Sequence, residues 1–188
     1  MKNYYKFFLS MILLVCVFMT SNSFAGDRLV IIERYTSSTC GPCAGANPTL
    51  DAFLNTTDPS KVTSISYHMN WPAPGNDPMY LYNPADNNFR RSYYGVNAIP
   101  LWRIDGTTEI NTGNIIPNYG LRRSILSPIT VIVREERIGD SMRVHVKIFC
   151  EDLLPEPSVS VHIGVVEREI QYGSPPGTNG ESHFLDVM

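Results

Sequence analysis

Apolar positions along this 188-residue chain change their spacing several times, and the order of those changes predicts an α/β core followed by a β-rich region. Leu29 to Ile32 is an unbroken apolar run inside a predicted strand over 28–36, the pattern of a strand covered on both faces. Residues 41–55 read as a helix with Pro48 as a natural kink, and 62–69 as a second strand with period-two alternation. A Pro- and Asn-rich stretch from Asn70 to Pro84 follows, then a helix over Ala85 to Tyr94. Leu101 to Ile104 reads as a strand, Asp105-Gly106 as a hairpin turn into another strand, and Tyr119 to Leu126 as a short helix. This order joins a βαβ half to a ββα half, which gives a central sheet flanked by helices.

Beyond residue 127 the period stays at two. Ile129 to Arg137, Met142 to Cys150 and Val159 to Val166 alternate apolar and polar residues, with breaks at Gly139-Asp140 and Pro155-Glu156-Pro157. They predict three antiparallel strands of a partial sandwich-like region, and Phe184 to Met188 reads as one more strand. Three strands do not bury both faces of a sandwich, so the chain is expected to be truncated at its C-terminal side. The expected division is 1–25, 26–127 and 128–188.

The first of these segments has the layout of a signal peptide. Lys2 and Lys6 precede an apolar run from Phe7 to Met19, and Ser23-Phe24-Ala25 places small residues where a signal peptidase reads them. The run is shorter than the roughly 20 residues of a spanning helix. A lipoprotein reading with Cys16 as the lipidated residue is disfavoured by the bulky Val15 before it. Cleavage after Ala25 removes two of the 15 basic side chains, leaving 13 against 18 acidic ones. That balance excludes a generic nucleic-acid binder.

The chemistry-bearing feature is Cys40-Gly41-Pro42-Cys43, placed between the first strand and the first helix. Backbone N–H groups and the macrodipole at a helix N-terminus stabilise a thiolate, the reactive form of cysteine. Cys40 is therefore the candidate nucleophile and Cys43, one turn further in, the resolving thiol. Cys150 falls on the apolar side of its alternation and is expected to be a buried, inert thiol.

Cys-Gly-Pro-Cys after a buried strand, with Ala98-Ile99-Pro100 before another strand and Asp105-Gly106 at its end, resembles the thioredoxin superfamily over residues 28 to about 126. The resemblance implies a thioredoxin-like fold, a cis peptide before Pro100 facing the cysteine pair, and substrate contact through Ile99 and Pro100. Two departures stand out. Thr39 occupies the place of the usual Trp, and Arg34 the place of a buried acid used in proton transfer, with Glu33 one residue earlier. Glu33 takes over that role only if a bulge shifts the strand register. Glu33 and His68 are the candidates for tuning the thiol pKa, set against plainer readings as a polar strand-end residue and a strand-end hydrogen bonder. Glu33-Arg34-Tyr35-Thr36, Tyr67-His68, Asp77-Pro78-Met79-Tyr80 and Tyr93-Tyr94-Gly95-Val96 together are similar to a thioredoxin-like family of outer-membrane-associated proteins in Bacteroidetes-type bacteria.

A structural disulfide closing so short a loop would constrain the unfolded chain little. A zinc site would need two more ligands from Cys150, His68, His145, His162 or His183, which form no close pair in sequence. No metal and no cofactor is expected. The stretch Asn70 to Pro84, carrying Trp71, Met79, Tyr80 and Tyr82, either grips a partner peptide or packs over a sheet edge. The expected function is an exported thiol-disulfide oxidoreductase, periplasmic or outer-membrane-associated, acting on protein or peptide disulfides. Gly-Pro between the cysteines is similar to the dipeptide of reducing thioredoxins, a resemblance that implies reduction or isomerisation over oxidation, and a reductase outside the cytoplasm needs a membrane-linked electron donor. The alternative is a surface binding protein that keeps the scaffold around a vestigial or structural disulfide.

Overall fold

The computed structural model describes residues 26–154 and 159–188. The signal peptide expected over 1–25, the Cys16 alternative and the break at 155–157 lie outside the described residues. Among the described residues no helix is long and apolar enough to cross a membrane. The chain divides into two compact units, 27–126 with 159–188, and 26 with 127–154.

The larger unit is built on a mixed sheet. β1 (Val30–Thr36) and β2 (Val62–His68) run parallel in an unbroken register from Val30↔Val62 to Thr36↔His68. Parallel neighbours need a crossover, and α1 (Gly41–Thr56) supplies it. After two further helices, α2 (Pro78–Tyr82) and α3 (Pro84–Tyr94), β3 (Leu101–Ile104) returns antiparallel to β1 and pairs with β4 (Thr108–Ile110). The turn between them has positive φ at both Asp105 (46°) and Gly106 (67°), the geometry that the Asp-Gly pair predicts for a tight hairpin. A Cβ at Gly106 would lie 2.5 Å from the Tyr94 hydroxyl, which would have to shift to admit it. The last helix of this half, α4 (Ile115–Arg123), starts four residues earlier than the pattern suggests.

Two apolar layers hold the sheet. On one face Ile32, Leu50, Val62, Trp102, Ile104 and Ile115 form a buried core under α1 and α4. On the other, Tyr35, Tyr67, Met69 and Val96 pack beside α3. A fully buried side chain of this size contributes about 2–3 kcal/mol, so each layer anchors its helices firmly. Within the stretch Asn70 to Pro84, Trp71 joins the second layer with Arg91 stacked 4.5 Å above its ring and Met79 is buried beside Phe184 and Val187, whereas Leu81 and Tyr82 are exposed.

The region after residue 127 departs from expectation. β5 (Ile129–Ile138) and β6 (Ser141–Cys150) form a two-stranded antiparallel sheet in the smaller unit, closed by the predicted Gly139-Asp140 turn. The third expected strand, 159–166, makes no ladder. Instead β7 (Glu167–Gln171) and β8 (His183–Val187) extend the main sheet of the larger unit, whose order is β4-β3-β1-β2-β8-β7. The expected grouping of 128–188 into one β-rich region is thereby corrected. The physical reason is that alternation shows one face to be covered but not which edge the strand joins, and the free edge of β2 needs a hydrogen-bonding partner. β8 meets it at Ser66↔Val187, reinforced by Ser66 donating to the Leu185 carbonyl at 2.7 Å and by a buried Ser64–Asp186 hydrogen bond. Cys150 is also corrected: it is a free, exposed thiol, 3.0 Å from the Asp152 carbonyl.

Candidate active site

β1 ends at Thr36, and Ser37-Ser38-Thr39 leads the chain into the first turn of α1. Cys40 is the N-cap residue, with extended backbone, and Pro42 sits in the first turn, where its missing N–H costs nothing. The Cys43 N–H points at both the Cys40 carbonyl, 3.1 Å away, and the Cys40 sulfur, 3.2 Å away. A disulfide joins Cys40 to Cys43 with the Cα atoms 5.2 Å apart.

The loop before Cys40 is fixed by groups from distant parts of the chain. Asp77 accepts the Ser38 N–H at 2.6 Å and the Tyr80 N–H at 3.0 Å, and lies 2.9 Å from His68 Nδ1. Burial alone would raise the Asp77 carboxyl, but the nearby His68 and the two N–H donors outweigh it and hold the carboxyl below its ordinary value. Thr39 donates its hydroxyl to the Pro72 carbonyl at 3.0 Å. On the other side of the loop, Asn179 donates its backbone N–H to the Ser38 carbonyl, and its side-chain amide reaches the Ser37 and Cys40 carbonyls. Asn47, one turn beyond Cys43, donates to Thr36 Oγ1 and to Glu181.

His68 thus lies on the α1 face of the sheet, buried and locked to Asp77. With Asn47, Thr36 and Glu181 it lines a cavity of about 10 Å³, and its Nε2 and the Asn47 Oδ1 are buried with no protein partner. Glu33 is elsewhere. The β1 register runs without a bulge on both sides, so Glu33 projects to the α3 face, opposite α1, where Arg90 Nε lies 2.5 Å away. The register shift needed for Glu33 to serve the cysteines does not occur. Burial, together with the Glu33 charge, pushes the Tyr67 hydroxyl up to about 12 and raises Tyr35 and Tyr94 too, so these phenols stay protonated around the ion pair. Arg34 is buried toward α1 and donates to Asp51 at 2.7 Å and Ser66 at 3.0 Å.

The Ile99–Pro100 peptide is cis. Pro100 lines a cleft of about 140 Å³ with Ala46 of α1 and with Trp102, Ile110, Asn111 and Thr112. The Ile99 side chain packs with the layer around Tyr35 and Tyr67. Asp77, Asn179 and Glu181 were not among the candidates read from the sequence. An N-cap signal at Asp77-Pro78 was available for the first, whereas Asn179 is 139 residues from Cys40 and no local pattern links them. Among the described residues no group of three or more His, Cys, Asp or Glu is placed to hold a metal ion.

No protein-family model and no curated protein matches the chain. Among solved structures it is similar to HBP35 of Porphyromonas gingivalis, at 15% identity and a TM-score of 0.45 over 60% of this chain and 38% of that one. Thioredoxin from Wuchereria bancrofti matches at 14% identity and 0.36, over 46% of this chain and 68% of that one. Tryparedoxin I from Leishmania major matches at 19% and 0.35, over 53% and 78%. The chain therefore spans well under half of HBP35. Strand order, the parallel β1-α1-β2 crossover and the cysteine pair capping α1 make the fold thioredoxin-like.

Proposed function

We propose that the protein is a thiol-disulfide oxidoreductase acting on protein or peptide disulfides outside the cytoplasm, as a reductase or isomerase rather than an oxidase. The observation that carries this reading is Cys40 at the N-cap of α1 with its sulfur facing the Cys43 N–H. In the reducing direction the Cys40 thiolate attacks one sulfur of a substrate disulfide, forming a mixed disulfide and releasing one substrate thiolate. Cys43, deprotonated, then attacks Cys40 Sγ, closing the Cys40–Cys43 disulfide and releasing the second thiolate. Two electrons pass to the substrate, and a membrane-linked dithiol donor restores the reduced pair. Ile99 and Pro100 are the proposed substrate-positioning residues, and export with outer-membrane association is the proposed setting.

A second reading is favoured by one observation: Cys40 is 1% exposed and Cys43 fully buried, as a disulfide retained only for structure in a surface binding protein would be. The equilibrium reduction potential separates the two. Titrated against glutathione and dithiothreitol, an enzyme gives a reversible couple between roughly −280 and −120 mV, nearer the lower end for a reductase. A pair that never equilibrates leaves the binding protein.

A further inference from the structure

Cys40 is buried although the two residues that follow it are not. Gly41 and Pro42 between the cysteines are exposed, so the motif itself is at the surface, yet the nucleophile is covered. Across the loop preceding it lies the connection between β7 and β8, residues 172–182, which touches that loop through polar groups. The Asn179 backbone N–H donates to the Ser38 carbonyl at 3.0 Å. The two hydrogens of the Asn179 side-chain amide are shared among the Ser37 carbonyl, the Cys40 carbonyl and the Glu181 carboxylate. Glu181 in turn accepts from Asn47, one turn beyond Cys43, at 2.8 Å. Gly177 approaches so closely that a Cβ there would overlap the Ser38 carbonyl.

We propose that this connection is a gate over the Cys40–Cys43 pair, closed by Asn179 and Glu181, and that it must lift before a disulfide partner reaches Cys40. The proposal rests on the reading of the pair as redox-active. Its ends are anchored: β7 and β8 are paired, Phe184 is buried, and the Tyr172 N–H donates to the Ser182 carbonyl at 2.8 Å. Its middle is not, since no residue from 173 to 182 is buried. A segment held by a few hydrogen bonds without apolar anchorage opens at low free-energy cost, while the elements on either side stay folded. Asn179 and Glu181 are positioning residues here, acting on access to the sulfur and not on its exchange chemistry.

The test uses the full chain with Asn179→Ala and, separately, Gly177→Ala, which a closed gate has no room for. The rate at which dithiothreitol reduces the oxidised pair is measured beside the equilibrium constant with dithiothreitol. Reduction should accelerate about tenfold in either variant, with the equilibrium constant changed less than about threefold. A loosened fold would not give that combination, and near-ultraviolet circular dichroism verifies that the packing of Trp102 is intact. If Gly177→Ala does not fold, Asn179→Ala carries the test alone. Rates within about twofold of the unaltered protein would overturn the gate while leaving the redox reading standing. A pair in the unaltered protein that never equilibrates with dithiothreitol would overturn both.

Discussion

Asp77 and His68 form a buried pair, 2.9 Å apart, and through the Ser38 N–H the same carboxylate grips the chain two residues before Cys40. Neither residue touches sulfur directly in the disulfide form, yet both set where the loop enters α1.

Replacing Asp77 by Asn tests that arrangement through acid stability. The folded carboxyl titrates below its ordinary value of 3.8. A depressed carboxyl contributes stability that is fully present above the unfolded pKa and is lost as pH falls through the folded one. Unfolding by urea at a series of pH values should therefore show the native protein losing stability below about pH 4. Asp77→Asn should be less stable at neutral pH and shallower in that acid range. Equal slopes would mean that the Asp77 charge is not what secures the loop.

Cys43→Ser should convert the proposed enzyme into a trap. Without the resolving thiol, the mixed disulfide at Cys40 persists, so incubation with a disulfide-bonded protein should leave an adduct visible by intact mass and removable by dithiothreitol. With Cys150 also replaced by Ser, because its exposed thiol would itself form adducts, Cys40→Ser should give far less of this adduct than Cys43→Ser. Equal trapping by both variants would contradict the assigned order of attack.

Glu33→Gln separates stability from redox chemistry. The Glu33–Arg90 pair lies on the α3 face, so its loss should cost up to about 3 kcal/mol in denaturant unfolding. The reduction potential and the pH dependence of thiol alkylation at Cys40 should stay as they were. A shifted pH profile would show coupling through the sheet.

Cys150 should react with Ellman's reagent in the folded protein before any reductant is added, at a rate close to that in urea, because its sulfur is exposed. Cys40 and Cys43 should contribute no signal until the disulfide is opened. A silent Cys150 would place it beneath a covering that the two-stranded sheet does not show.

Much of this molecule was legible where local chemistry decides structure. Cys40 as N-cap, Asp105-Gly106 as a hairpin and the buried run of β1 each follow from residues adjacent in the chain. What escaped was decided at long range. The largely apolar stretch Phe184–Val187 marks a strand, but its choice of β2 as partner depends on an edge set by residues 62–68. Alternation also misplaced Cys150, because it distinguishes two faces without saying whether anything packs on either. Glu33 and Arg34 were read with the correct geometry: the unbroken register puts them on opposite faces, and the arginine stands on the side of α1.

The insertion of β8 beside β2 has a consequence for biosynthesis. Cys40 leaves the ribosome 139 residues ahead of Asn179, so the thiols emerge long before the segment that hydrogen-bonds to their loop has been made. The order of events in translation, with Cys40 and Cys43 open early and enclosed late, makes the moment of synthesis the time at which pairing partners for these sulfurs are least restricted.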